Sequence, residues 1–442
     1  MIRPRKARVP GAIQVGLHPG TLGVWRGAAL YVGSLIGPGV LLVPALAVQA
    51  AGPASVIGWA LLLVLSAPLA LTFAALGVRL PVSGGVAAYV QAGFGAAAGA
   101  VAGGWFLTAV LIGGPAVALI GGYYVADLTG TGTSVAAAVG LAIFALVLGA
   151  NALGLRFSSR LQLVFAAILT LVIAVAVGVA LPSRANHNWT PFAPDGWWAI
   201  GTAANILVWL FVGWEAVAQL AGEFRQPAKQ LPRAILIAFA TVTVLYSGIA
   251  VATVGVSADS SSKVPLADLI AVGFGSWGRD ATAVLAVALT MGTMNVYMGG
   301  ASKLAAALAS SGSLPTWLAG DAHRTIPRRP LFVVAGVAAI LLLALVAGLA
   351  NISELVRATS ACFVAVYVAA TASAAWILRG VTRAAALLSF VLFVVIAIFS
   401  GWYLLVPAIS VLCFTAIRTH TRRLRPFPKS LPPTQAESPL QQ

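Results

Sequence analysis

Apolar residues gather along the chain into about twelve runs, each near the twenty residues that a helix needs to cross the hydrocarbon layer. The first five are Leu22–Val48, Ala54–Val78, Ala97–Val125, Ser134–Leu153 and Leu161–Leu181. The next five are Trp197–Ala221, Ala234–Val256, Ala281–Ala309, Leu331–Leu349 and Leu355–Leu378. Ala384–Ser400 and Trp402–Ile417 close the series with almost no loop between them. Backbone groups in hydrocarbon must be bonded within their own segment, so every run predicts a helix. The pattern is that of an all-α polytopic membrane protein.

Two runs carry breaks. The first reads Leu30-Tyr-Val-Gly-Ser-Leu-Ile-Gly-Pro-Gly-Val-Leu-Leu-Val-Pro44, with Gly33, Gly37, Pro38 and Gly39 near mid-span. In a helix interior glycine costs about 1 kcal/mol and proline about 3 kcal/mol. Pro38 also removes a donor and clashes with the turn before it. The helix should open here, and irregular backbone survives at membrane depth only where it lines a cavity or is buried in protein. A lone glycine would read as close helix packing; for Gly-Pro-Gly at mid-span the break is favoured, with packing as the alternative. The sixth run holds the second break, at Gly213 beside Glu215. A carboxylate at that depth costs at least about 2.5–3.5 kcal/mol, so it should face the bundle interior. Its bland alternative is an acid bonded to a neighbouring helix's backbone.

Interrupted segments in corresponding positions of two halves point to an inverted repeat with a substrate site between them. Broken helices offer N-terminal amides to anions and C-terminal carbonyls to cations, which together suit a zwitterion such as an amino acid.

Composition agrees with lipid as the main solvent: 60% hydrophobic residues, 8% charged, mean hydropathy +0.99. The net charge of +16 would suggest nucleic acid in a soluble chain. Here its placement is the message. Of 26 Lys and Arg, all but Arg184, Lys263, Arg279 and Arg357 fall on the side of the N-terminus once the runs are threaded alternately. By the positive-inside rule both termini are cytoplasmic, in a plasma (inner) membrane protein. Trp197 with Trp198, and Trp402 with Tyr403, begin runs at the outer boundary, where amphipathic rings settle; filling helix contacts is the other reading of them. The basic N-terminus, residues 1–20, has no short apolar region with a cleavage site after it, so the first run reads as a retained helix. The polar tail, residues 419–442, carries several prolines and reads as disordered, its basic cluster resting on anionic headgroups. Cys362 and Cys413 both lie in apolar runs, and the four histidines have no ligand spacing. No disulfide framework, metal or other cofactor is expected.

At the two breaks the sequence resembles the amino acid–polyamine–organocation transporter superfamily. Gly33-Ser-Leu-Ile-Gly-Pro-Gly-Val with Pro44 and Gly52-Pro53 follows the family's opening pattern. The loop Pro81-Val-Ser-Gly-Gly-Val-Ala-Ala-Tyr89, ending in Phe94-Gly95, matches its Pro-x-x-Gly-Gly signature. Gly213-Trp-Glu-Ala and Glu223-Phe-Arg-Gln-Pro-Ala-Lys-Gln-Leu-Pro-Arg-Ala234 match its sixth helix and following loop. Asn295 through Ser302-Lys303 to Pro315 looks like its eighth helix, with Lys303 where arginine is usual. Gly-Gly-Val-Ala and Phe-Val-Gly-Trp-Glu-Ala most resemble the bacterial exporters of methionine and branched-chain amino acids.

The resemblance implies a five-plus-five inverted repeat of the leucine-transporter type, residues 21–182 and 183–379, with two further helices over 380–418. It implies that the amides of Ile36, Gly37 and Gly39 hold a substrate carboxylate, and that carbonyls near Ser34 and from Phe211 through Val212 to Gly213 hold the ammonium. Trp209 matches an aromatic that separates the site from the outside, and Glu215 an acid tied to gating or proton coupling. Pro38 departs from the pattern, since Ser or Thr is frequent there, and one amide and one hydroxyl donor are missing.

From the residues themselves, Ile36, Trp209, Phe211 and Trp214 predict a largely apolar pocket, and no Lys or Arg falls in the middle third of either broken run. An apolar amino acid is favoured over a cationic one. Arg156 and Arg160 sit at the start of the fifth run, which holds no lysine to stand in for sodium. Thr290 and Thr293 could offer sodium-site hydroxyls, although membrane threonines usually bond their own helix. The expectation is a secondary transporter, exporting and proton-coupled, with a proton taken up or released at Glu215 as its hydration changes. An importer or exchanger of the same fold is the alternative. A membrane-embedded enzyme would need convergent acid, base or metal groups, and a channel a polar line through several helices; neither is found. Exact substrate and oligomeric state are not legible.

Overall fold

The computed structural model describes residues 22–80, 85–155, 159–215, 223–256, 262–319 and 326–423. The basic N-terminus, residues 81–84 of the signature loop, Arg156, the end of the sixth run and the tail beyond 423 lie outside the described residues, as does the side chain of Arg160.

Fourteen helices are described: α1 Val24–Leu35, α2 Val43–Ala51, α3 Ser55–Arg79, α4 Gly85–Phe94, α5 Ala96–Leu128, α6 Thr133–Ala152, α7 Ser159–Ala180, α8 Ala199–Leu207, α9 Pro227–Val256, α10 Pro265–Ser310, α11 Arg328–Val346, α12 Ile352–Ile377, α13 Gly380–Ser400 and α14 Leu405–Arg423. Short 3₁₀ turns join several of them. The sole pairing of β type among the described residues is an isolated parallel bridge between Leu22 and Phe224. The chain is a polytopic helical membrane protein: nine described helical stretches are long and apolar enough to cross.

Three of those stretches, Val43–Arg79, Pro265–Ser310 and Gly380–Thr419, are divided by glycines at positive φ: Gly52 (57°), Gly275 (58°) and Gly401 (55°). Side chains other than glycine rarely take that conformation. The eighth run, expected over Ala281–Ala309, is one part of the longer α10. Pro265 sits in its first turn, where a missing N–H costs nothing, and Gly275 bends it. The stretch expected as a loop after the second run folds from Gly85 onward as α4. It docks on α12 through the Ser373 hydroxyl, which donates to the Tyr89 carbonyl at 2.6 Å, and through Gly93, which lies against Ser373.

α5 is the most enclosed span and packs against α6, α10 and α12. Its glycines permit this. A Cβ on Gly122 would lie 2.0 Å from the Ala136 carbonyl oxygen of α6, and one on Gly104 would meet the Phe414 ring of α14 at 2.8 Å. Small residues let membrane helices approach to backbone contact. α7 and α13 instead turn large apolar side chains outward, among them Leu171 and Ile398. Trp197, Trp198 and Trp402 are well exposed, as are Trp25, Trp277 and Trp376, whereas Tyr403 is buried.

Candidate functional site

The first break begins where α1 ends. The Ile36 amide donates to the Val32 carbonyl at 2.9 Å, closing the helix, and Ile36 itself leaves helical geometry (φ −88°, ψ 93°). Gly37 is extended, and Pro38 opens a 3₁₀ turn, Pro38–Leu41, that leads through Leu42 into α2. Two kinds of backbone group are thereby freed. Among the described residues no partner reaches the amides of Gly37 and Gly39. On the other side, the Ser34 carbonyl would look to residue 38 for its helical donor, and a proline has none. The Gly33 carbonyl loses its donor because Gly37 has left the helix. The expectation that Ile36 offers its amide is corrected: that N–H is used in closing α1.

The second break follows α8. A 3₁₀ turn, Val208–Phe211, leads to Val212 in extended geometry and to Gly213 at φ +136°. Gly213 is required twice over: its φ is strained for any side chain, and a Cβ would lie 2.4 Å from the Ser34 carbonyl oxygen. The two breaks therefore abut. The Ser34 hydroxyl lies 2.8 Å from the Tyr31 carbonyl oxygen and 3.3 Å from that of Gly213, so it can donate to either.

Three tyrosines attend the breaks, two at carbonyls and one at a carboxylate. Tyr124 of α5 donates to the Leu41 carbonyl at 2.9 Å. The Tyr246 hydroxyl of α9 reaches the Leu35 and Leu210 carbonyls. Tyr367 of α12 donates to Glu215 Oε2 at 2.6 Å, and the same oxygen accepts the Gly213 amide at 2.9 Å. Glu215 is 8% exposed and, among the described residues, is bonded to its own turn and to a tyrosine and to no backbone of another helix.

Against the breaks lies a cavity of about 240 Å³ between α1, α5, α7, the sixth-run turn and α10. Of the expected site residues it gathers Ser34, Ile36, Gly37, Pro38, Gly39, Trp209, Val212 and Thr293. Among the described residues no Asp, Glu, Lys, Arg or His lines it. Phe211, Gly213, Trp214, Glu215 and Thr290 are not on its wall. Phe211 packs instead on Trp59 and Tyr246, at ring-centroid distances of 6.4 and 5.4 Å. Trp214 is fully buried, 6.4 Å from the Phe239 ring, and its indole donates to the Ser66 hydroxyl at 3.1 Å. The correction has a geometric cause. Trp209 and Leu210 of the 3₁₀ turn and the extended Val212 after it line the cavity, while the Phe211 side chain leaves toward Trp59 and Tyr246. Thr290 bonds the Val287 carbonyl at 2.9 Å and faces Gly121 of α5.

Of the wall opposite the breaks, sequence reasoning found only Thr293. α7 contributes Gln162, Phe165 and Ala166; α10 contributes Leu289, Gly292, Thr293, Val296 and Tyr297. Both sets repeat at helical spacing. That signal is visible only as small or polar residues, Gly292, Thr293 and Tyr297, recurring on one side of an otherwise apolar helix. The supporting tyrosines left a signal too: each is a lone hydroxyl deep in an apolar run, and a buried Tyr O–H usually has a partner.

A profile of the amino acid permease family matches residues 22–428. The amino acid permease YecA of Bacillus subtilis is 34% identical over 391 residues, covering 87% of this chain and 92% of that protein. The L-methionine/branched-chain amino acid exporter YjeH of Escherichia coli is 29% identical over 387 residues, covering 86% and 92%. The branched-chain amino acid permease BcaP of Bacillus subtilis is 28% identical over 269 residues, covering 57% and 56%.

Proposed function

This chain belongs to the amino acid permease family and is a membrane transporter, and from that premise we propose that it exports apolar amino acids of the methionine, leucine, isoleucine and valine type. The observation that carries the substrate class is the wall of the cavity: free backbone amides and carbonyls of the first helix break where it abuts the second, mostly apolar side chains around them, and, among the described residues, no charged group. In this reading the amides of Gly37 and Gly39 bond the substrate carboxylate, at the positive end of the 3₁₀ turn and α2. The carbonyls of Gly33 and Ser34 receive the ammonium. Ile36, Val117, Phe165, Trp209, Leu289 and Val296 enclose the side chain. A cationic or anionic side chain would be buried there without a counter-charge, at a cost of several kcal/mol.

Transport follows by alternating access, with the substrate bridging the two breaks while the helices around them rock. The repeats are residues 21–182 and 183–379, and both termini lie in the cytoplasm. Glu215 is off the cavity wall and acts through the turn it holds: its oxygen fixes the Gly213 amide, and Gly213 meets Ser34. A proton gained or lost at Glu215 changes that tie, which is how proton movement couples to the site. Export is supported by the E. coli relative, an exporter of L-methionine and branched-chain amino acids.

The test is counterflow of a labelled amino acid panel in reconstituted vesicles, repeated across a pH step. Saturable exchange limited to apolar amino acids, driven by the pH step, is the expected result. Preference for lysine, arginine or glutamate would overturn the substrate assignment, and flux blind to the pH step would overturn the coupling.

A further inference from the structure

The isolated bridge between Leu22 and Phe224 is unusual in a helical protein. The Leu22 amide donates to the Glu223 carbonyl at 2.9 Å, and the Arg225 amide to the Leu22 carbonyl at 3.1 Å. These bonds tie the residues just before α1 to the residues just before α9, the entrance of the first broken run to the chain that follows the second. The side chains finish the join. Leu22 and Phe224 are 3% and 2% exposed. The Phe224 ring occupies a slot over Gly27 of α1, where a Cβ would lie 2.3 Å from Cζ, and it packs 6.2 Å from the Tyr31 ring. Gly27 is helical, so the slot, and not a backbone conformation, is what glycine supplies.

We propose that this clasp is a latch governing access to the cavity from the side on which Leu22 lies. The inference rests on the reading of the cavity as the transport path. α1 forms one wall of the cavity and meets α7 closely: a Cβ on Gly33 would be 3.1 Å from that of Ala166. For the cavity to open on this side, α1 must swing away from α7 about the non-helical link at Ile36 and Gly37. With Phe224 seated over Gly27 and two backbone bonds closed, the free end of α1 is held. Release of the ring and the two bonds lets it move. Lone backbone bonds suit such a role, because separated strands leave N–H and C=O groups that water at a membrane boundary can satisfy.

The test uses Ala166→Cys as reporter, in a full-length background with Cys362→Ala and Cys413→Ala, labelled by a membrane-impermeant maleimide. Phe224→Ala and Gly27→Leu, which empty or fill the slot, are expected to speed labelling about tenfold, the ratio produced by a 1.4 kcal/mol shift between closed and open forms. Leu22→Pro removes the N–H that donates to Glu223 together with the Leu22 side chain, leaves Phe224 in its slot over Gly27, and should speed it by a smaller factor. It carries the test if Phe224→Ala fails to accumulate. Labelling rates unchanged in these variants, whatever the melting temperature does, would overturn the latch and leave Phe224 as a packing residue. Failure of an apolar amino acid to slow labelling in the reporter with its clasp intact would count against the transport path instead.

Discussion

The hydroxyl of Tyr246 lies 2.8 Å from the carbonyl oxygen of Leu35, the last residue of α1. The same hydroxyl is 3.1 Å from the Leu210 carbonyl in the second break. One side chain from α9 thus stands between the two interrupted runs, at a depth where no bulk water could serve either carbonyl. Trp59 and Phe211 brace its ring at 5.3 and 5.4 Å.

Tyr246→Phe keeps the ring and its aromatic contacts but leaves both carbonyls without this donor. A buried acceptor left unsatisfied costs about 1–3 kcal/mol, so the melting temperature of the purified protein should fall, with exchange flux falling beside it. Full flux at an unaltered melting temperature would show that the hydroxyl is dispensable.

Gly213→Ala and Gly37→Ala should behave unlike one another. At Gly213 an added Cβ strikes the Ser34 carbonyl oxygen and the φ is positive; strain of about 1–3 kcal/mol is expected, with loss of transport. At Gly37 nothing lies within 4 Å of the added atom and the backbone is already extended. That variant should fold normally, and its effect should appear in substrate affinity. Thermal melts together with equilibrium binding of labelled methionine would check the pair.

Glu215→Gln retains an oxygen able to accept the Gly213 amide and the Tyr367 hydroxyl, so the turn should stand. Exchange of substrate at equal pH is then expected to persist while flux driven by a proton gradient is lost. Glu215→Leu should lose both, because the amide and the hydroxyl are left unpaired. Proton-driven flux in Glu215→Gln that matches the unaltered protein, with the same pH profile, would sink the coupling role.

Pro38→Ser restores an N–H at the start of the 3₁₀ turn, between the free amides of Gly37 and Gly39. Orphan donors at that position of a helix are the ones that bind anions. The variant should lower KM for apolar amino acids by about twofold to twelvefold, the effect of one added hydrogen bond worth about 0.5–1.5 kcal/mol. An unchanged KM would place the carboxylate elsewhere.

Both breaks were legible in the sequence because glycine and proline carry a local energetic penalty that no tertiary contact conceals. Span ends were legible for the same kind of reason: the transition from apolar to polar residues is set by the bilayer. What failed was the direction of side chains. Phe211 and Trp214 looked like cavity lining because they are large and near Gly213, yet the tight turn aims them at Trp59 and Phe239. In a soluble helix a polar face would have revealed which side of α7 and α10 meets the site. Here lipid and protein interior are equally apolar, so Phe165, Leu289 and Val296 carried no mark. The first part of α10, Pro265 to Gly275, was missed because Gly275 and the charged pair Arg279 and Asp280 cut this short apolar stretch off from the long run that follows.

The contact of Gly122 with the backbone of Ala136 has a mechanical corollary. Two helices touching main chain to main chain have no rotamers between them to absorb sliding, so their register is locked as in meshed gears. The wall that α5 presents to the cavity, at Val117, is then a stator. Movement is left to the joints filled by flexible side chains, and a methyl group added at residue 122 should disturb the frame without touching anything that moves.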